Sequence, residues 1–139
     1  MRQLQYAFEV RTKGRGLHEI TREVAQWVEK SGFCLGLLAL FVRHTSASLL
    51  IQENADATVR EDMEQLFARL VPDGDPLFRH RLEGPDDMAA HARSALTAAS
   101  LSIPVREGAL TLGTWQGVYL WEHRMAPQER QIVLHLVGD

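Results

Sequence analysis

The chain has 139 residues, 45% of them hydrophobic, and a formal net charge of −3, which together indicate one globular domain spanning residues 1–139. The negative charge argues against a general binder of nucleic acid, and no apolar run reaches the roughly 18 residues that a membrane span needs. Because there is no visible secretory signal and Cys34 is the only cysteine, which excludes an intrachain disulfide, we expect a cytoplasmic protein.

The N-terminal third predicts a strand, a helix and a second strand. Apolar and polar residues alternate over 3–12, which is typical of a half-buried strand. From Leu17 to about Lys30 the apolar positions recur at helical spacing, and Gly32 suits a left-handed cap after the helix. The nearly continuous hydrophobic run over 33–42 predicts a central strand that is buried on both faces.

The rest of the chain adds two helices and a group of short strands. A short strand over 49–51 precedes a helix over 57–70, and a second helix is expected to run from Asp86 toward Ala99. Four strands are then expected over 101–106, 110–112, 118–121 and 132–137. Two or three helices among about seven strands, without regular βαβ alternation, predict an α+β fold with a mixed, mostly antiparallel sheet.

The stretch His80–His91 contains the highest density of side chains that can bind a metal ion or transfer a proton. Two histidines and three carboxylates lie around a Gly84-Pro85 turn. Asp87 and His91 are four residues apart and share a helical face. One interpretation is an acidic helix start with solvated histidines. The other is a metal site or an acid–base site, because imidazole and carboxylate bind zinc, manganese or iron and titrate usefully.

A second polar stretch, 43–48, ends the buried strand with a basic residue, an imidazole and three hydroxyls. His44 is a candidate metal ligand or acid–base. Thr45 and Ser46 are candidates for hydrogen bonds to phosphate oxygens, although hydroxyls at a strand end also cap backbone groups. The excess of arginine over lysine suits contacts with an anionic ligand, and GC-rich codon usage would give the same excess.

Three further places along the chain stand out. Asn54 or Asp56 is a plausible cap of the helix that follows. Trp115, between two glycines, is either core or a surface on which a ring stacks. Glu122 and Arg124 alternate onto one face at the end of a strand.

The motifs together resemble the YjbQ-like family, part of which is described as secondary thiamine-phosphate synthase. The resemblance rests on the run from His44 to Ser48, on Glu53-Asn54, on the His80–His91 stretch and on Gly113-Thr114-Trp115-Gln116. It spans nearly the whole chain. It implies a sheet that curls toward a barrel and a homotrimer whose polar pocket lies near the subunit interfaces.

The resemblance also implies a reaction, in which a pyrimidine pyrophosphate joins a thiazole phosphate and pyrophosphate leaves. We therefore predict a metal-assisted enzyme that acts on phosphorylated small molecules, with zinc as the expected divalent metal. The alternative is a non-enzymatic trimer that binds a metabolite or a metal. The candidate metal ligands are His44, His80 and His91; the candidate catalytic residues are Glu53, Asp87 and Glu122; the candidate substrate-binding residues are Thr45, Ser46, Asn54, Trp115, Gln116 and Arg124.

Overall fold

A computed structural model describes residues 1–139 and contains eight strands and three helices. The strands are β1 (Arg2–Arg11), β2 (Gly16–Glu19), β3 (Leu35–Val42), β4 (Ala47–Glu53), β5 (Ser100–Arg106), β6 (Ala109–Leu110), β7 (Gln116–Glu122) and β8 (Glu129–Gly138). The helices are α1 (Thr21–Ser31), α2 (Ala57–Leu70) and α3 (Asp87–Leu96). None of the three helices has the length and apolar character needed to cross a membrane.

The strands form two sheets, one of five strands in the order β1-β8-β3-β5-β6 and one of three in the order β2-β7-β4. Every pairing between these strands is antiparallel. The sheets curl into a half-barrel within a single α+β domain, which confirms the predicted fold class.

The core lies between the inner faces of the two sheets. Alternate residues of β8, Ile132, Leu134 and Leu136, are fully buried there, because successive side chains of a strand point to opposite faces. Val24 and Val28, four residues apart on α1, close one side of this core and are also fully buried.

The central strand β3 is buried on only one face, which corrects the prediction made from its continuous hydrophobic run. Leu38 is fully buried on the inner side, whereas Leu35 and Phe41 are 65% and 50% exposed on the other. The prediction was wrong because no helix or second sheet of the same chain covers that side. We call it the outer face; its apolar residues are Leu35, Leu37, Phe41, Val133 and Val137.

The first helix is shorter than its apolar spacing predicts. Leu17 and His18 lie in strand β2, opposite Trp121 and Leu120 of β7, so α1 begins only at Thr21. Pairing with the neighbouring strand outweighs the local helical pattern. The other end matches the prediction, because Gly32 caps α1 with a φ of 76°.

Candidate metal centre

The turn before α3 and the first turns of that helix gather four side chains that can bind a metal ion. One ligand atom from each of His80, Glu83, Asp87 and His91 lies within 4.8 Å of the others. Gly84, at a φ of 99°, permits the tight reversal that brings His80 and Glu83 back to the helix. The sequence thus assembles a mixed imidazole and carboxylate site within twelve residues.

Asp87 stands at the centre of this cluster and is 2% exposed. Its Oδ2 atom lies 2.7 Å from Nε2 of His80 and 3.1 Å from Nε2 of His91. Burial alone would raise the pKa of Asp87. The side-chain hydrogen bonds with His80 and Glu83, followed by the charges of His91 and Arg124, outweigh that effect. The pKa of Asp87 therefore lies below its ordinary value, and the group is a carboxylate at neutral pH.

A hydrogen bond at Nδ1 of His91, the ring nitrogen that faces away from Asp87, determines the tautomer of the ring. Nδ1 lies 2.9 Å from the carbonyl oxygen of Thr45, which can only accept, so Nδ1 carries a proton. In the neutral ring, Nε2 then presents a lone pair to the Asp87 carboxylate. A proton or a metal ion between Nε2 of His91 and the Asp87 carboxylate would satisfy both acceptors. A histidine that binds a metal typically donates its other N–H to a carbonyl oxygen, as His91 does here.

Arg124 contacts the cluster on the side away from solvent and fixes the position of Asp87 and of the turn. Its Nη1 atom lies 2.9 Å from Oδ1 of Asp87, and its Nε atom donates to Asp86 at 3.0 Å. Nη2 also donates to the carbonyl oxygen of Glu83 at 2.9 Å. Arg124, predicted to bind substrate, therefore orients the carboxylate and the turn.

The other side of the cluster is open to solvent. The side chains of His80, Glu83 and His91 are 46%, 65% and 31% exposed. A cavity of about 430 Å³ adjoins His80 and is lined by the turn that includes Phe78 and Arg81. A metal ion bound by this cluster would therefore be within reach of a small molecule from solvent.

The structure does not bring His44, the third predicted ligand, into this cluster. Nε2 of His44 accepts a hydrogen bond of 2.8 Å from the backbone N–H of Gln131, so its lone pair is already used. Desolvation, followed by the charges of Arg130 and Arg43, lowers the pKa of His44, which keeps the ring neutral. Glu83 takes the place in the cluster that was predicted for His44.

Glu122, a predicted catalytic residue, lies in a buried ion pair. It is fully buried, and its carboxylate accepts from Arg130, from the hydroxyl of Thr12 and from the backbone N–H of Arg124. Each oxygen therefore has partners within the chain. Ser46, predicted to bind substrate, is tied to the same ion pair because its hydroxyl accepts from Arg130 at 2.9 Å.

The remaining predicted residues lie at the opposite end of the three-stranded sheet. Glu53 pairs with Gln116 at one end of β4, whereas Ala47 pairs with Glu122 at the other, about 20 Å away for a seven-residue strand. The far-end group, as we call it, consists of Glu53, Asn54, Trp115 and Gln116. Trp115 is 63% exposed, so it is not a core residue.

A buried histidine, His123, follows the last residue of β7. Nε2 contacts the hydroxyl of Ser48 at 2.8 Å, and Nδ1 has no hydrogen-bond partner. Desolvation, followed by the charges of Arg93, Arg15 and Arg130, lowers the pKa of His123 to about 3. This histidine is neutral throughout the physiological range.

Sequence reasoning missed Glu83 and Arg130 as site residues. The position of Glu83, three residues after His80 and four before Asp87, was a usable signal. Arg130 gave none, because it reaches Glu122 and Ser46 only where the two sheets pack against each other.

Comparison with known proteins adds a consistent set of relatives. A family model described as UPF0047 protein YjbQ-like matches residues 6–139. The chain is 50% identical to a UPF0047 protein from Synechocystis sp. over 99% of its length and 94% of that protein, and 43% identical to UPF0047 protein YjbQ from Escherichia coli O157:H7 over 97% and 98%. A hypothetical protein from Aeropyrum pernix K1 superimposes with a TM-score of 0.89 at 31% identity, over 98% and 99% of the two chains.

Proposed function

The chain belongs to the UPF0047 family of YjbQ-like proteins, and from that premise we propose that it is a metal-assisted enzyme acting on phosphorylated small molecules. The observation that carries the proposal is the convergence of His80, Glu83, Asp87 and His91. The side of this cluster that faces solvent leaves room for a substrate.

The donor set indicates which ion would bind. Two imidazole nitrogens and two carboxylates suit zinc or another late transition metal better than magnesium, which prefers oxygen ligands. In the proposed site His80 and His91 bind through Nε2, Asp87 and Glu83 bind through oxygen, and Arg124 orients Asp87. When bound, the metal would supply positive charge that stabilises a leaving phosphate.

The finer proposal is a secondary thiamine-phosphate synthase activity, which rests on the family resemblance. A thiazole nitrogen would form a bond to the methylene carbon of the pyrimidine as the bond from that carbon to pyrophosphate breaks. The electron pair of the broken bond leaves with the pyrophosphate. Glu122 takes no part in the proposal because its oxygens are occupied within the chain.

The proposed metal centre is tested by elemental analysis of the untagged protein beside the His80→Ala/His91→Ala double variant. We expect about one zinc-like ion per chain, lost in the variant while circular dichroism shows an unchanged fold. Incubation with the pyrimidine pyrophosphate and the thiazole phosphate then tests turnover. Full turnover by the chelated, metal-free protein would exclude the metal-assisted mechanism, and ligand binding without product would favour the non-enzymatic alternative.

We further propose that the protein is a homotrimer that packs through the outer face. Leu35, Leu37 and Phe41 are all about half exposed or more on one face of a central strand, and a contiguous exposed apolar patch of this kind marks a protein–protein interface. Phe41→Asp should then dissociate the trimer in analytical ultracentrifugation. Leu66→Asp, on α2, is the matched control because Leu66 is 49% exposed and Phe41 is 50%. An unchanged mass for Phe41→Asp would refute this interface.

In such a trimer, the far-end group of one chain would contact substrate at the metal centre of a neighbour. Trp115 would supply a ring for stacking, and Asn54 and Gln116 would supply amides. Mixing inactive Trp115→Ala chains with inactive His91→Ala chains would restore activity if the site is shared between subunits. No recovery in verified mixed trimers would place each complete site within one chain.

A further inference from the structure

A second pocket, separate from the metal centre, lies where β3 ends. Its volume is about 530 Å³. It opens beside Phe41, at the rim of the outer face, and its floor is the loop that leads into β4. The residues that line it are Phe41, Val42, Arg43, His44, Thr45, Ser46, Ala99 and Arg130.

The lining contains two arginines and no carboxylate. Arg43 forms no ion pair; its Nη1 atom donates to the side-chain oxygen of Gln131 at 2.7 Å, and its other N–H groups have no partner in the chain. This single contact orients the guanidinium and leaves its charge uncompensated. An arginine in this state has the geometry and the charge to bind an anion.

The neighbouring residues add neutral donors. Because Nε2 of His44 accepts from the backbone N–H of Gln131, the ring proton of the neutral imidazole resides on Nδ1, which donates to no group in the chain. The hydroxyl of Thr45 also has no partner in the chain, since only the carbonyl oxygen of that residue is used. Both groups are available to donate to a ligand.

Arg130 gives the pocket a rigid wall. It is 5% exposed, and Glu122 and Ser46 accept from its Nε and Nη2 atoms. Nη1 of Arg130 forms no hydrogen bond within the chain, and this atom is accessible to solvent. The ion pair with Glu122 holds the guanidinium in place while that edge remains free.

We propose that this pocket binds a phosphate group, through Arg43, the Nδ1–H of His44, the hydroxyl of Thr45 and Nη1 of Arg130. A phosphate at neutral pH offers acceptor oxygens, which match the unused donors of the lining. Glu122 already compensates the charge of Arg130, so the free positive charge comes from Arg43. Nothing in this match requires a metal ion.

Thr45 joins the two sites. Its side chain lines the phosphate pocket, and its carbonyl oxygen accepts from His91 of the metal centre at 2.9 Å. The peptide of Thr45 therefore lies between the pocket and the Nδ1 edge of His91, and a phosphate ester held in the pocket would be a substrate of the enzyme proposed above. Only this assignment of the ligand as a substrate phosphate rests on the proposed function; the anion site itself does not.

The test is a titration with inorganic phosphate at constant ionic strength and pH 7.5, followed by calorimetry and by amide NMR shifts. We expect saturable binding with shifts confined to residues 43–46 and 130–131. Arg43→Gln should weaken binding about 10-fold or more, because a charge-assisted contact is lost, and Arg43→Lys should weaken it less. Thr45→Val should weaken it by a smaller factor while its carbonyl stays in place.

Arg106→Gln is the matched control, since Arg106 is an exposed arginine of the same five-stranded sheet with no ion pair. It removes the same charge and should change phosphate affinity less than 2-fold. Equal losses for the Arg43 and Arg106 variants would mean general charge attraction and would overturn the proposal. So would shifts outside the pocket or an absence of saturable binding.

Repeating the titration with the His80→Ala/His91→Ala variant separates this inference from the metal centre. Phosphate binding that survives in this variant supports the pocket whether or not the protein proves to be a metalloenzyme. Phosphate binding abolished in the folded variant would place the anion at the metal centre and overturn the pocket. Phenyl phosphate distinguishes the two sources of the anion: a phosphate-ester site should bind it more tightly than inorganic phosphate, because its ring can contact the exposed Ala99 of the lining, and a free-phosphate site should not.

Discussion

Lowering the pH from 8 to 5 should destabilise the fold through His123. This side chain is fully buried, and its pKa is about 3 in the folded protein, against 6.5 for an ordinary histidine. Between these two values the unfolded chain binds a proton that the folded chain does not. The free energy of unfolding therefore falls as the pH drops below about 6.5, and no loss is expected from this group above that pH.

The size of the loss in stability follows from the difference between pH 5 and the pKa of His123 in the unfolded chain. Each pH unit in this window costs about 1.4 kcal/mol, so 1.5 units cost about 2 kcal/mol. Urea unfolding at pH 8 and pH 5, followed by circular dichroism in the presence of a chelator, measures this loss. With a typical m-value near 2 kcal/mol/M, the midpoint should move by about 1 M.

The matched variant is His123→Gln, which keeps a polar group near Ser48 and cannot titrate. Between pH 8 and pH 5 the free energy of unfolding of this variant should fall by about 2 kcal/mol less than that of the wild type. Other groups titrate equally in both proteins, so the difference between the two pH dependences isolates His123. Equal losses in the two proteins would refute the assignment of a buried, neutral histidine.

Three other substitutions test the ion pairs and the core. Arg130→Ala leaves Glu122 buried without its partner and should cost about 3–5 kcal/mol in urea unfolding. Leu134→Ala opens a cavity in the fully buried core and should cost about 2–5 kcal/mol in the same assay. Arg124→Gln removes the charge that orients Asp87 and should weaken zinc binding about 10- to 100-fold in competition with a chelating dye. Unchanged affinity would show that Asp87 needs no such support.

The local parts of the candidate site could be predicted from the sequence. His80, Asp87 and His91 lie within one turn and one helix, where spacing alone decides which side chains meet. The helix over 57–70 could likewise be predicted with its observed bounds. In both cases the interactions that fix the geometry join residues that are close in the chain.

The distant parts could not be predicted in this way. His44 and His91 were expected to bind the same ion, but His44 instead accepts from Gln131, 87 positions away. Glu122 resembled a catalytic acid at a strand end, and only the packing of the two sheets places Arg130 of β8 against Glu122 of β7. A sequence pattern records which groups are available, whereas strand register decides which of them are already bound.

The sequence by itself therefore determined the fold class, most of the helices and strands, and a cluster of imidazole and carboxylate groups before α3. The tertiary structure alone decided that one face of β3 is exposed, that the far-end group lies about 20 Å from Glu122, and that Arg43 and Arg130 line one pocket. The physical reason is the separation along the chain of the residues that interact. Helical spacing acts over a few residues, but burial and hydrogen-bond partners depend on strands that are distant in the chain.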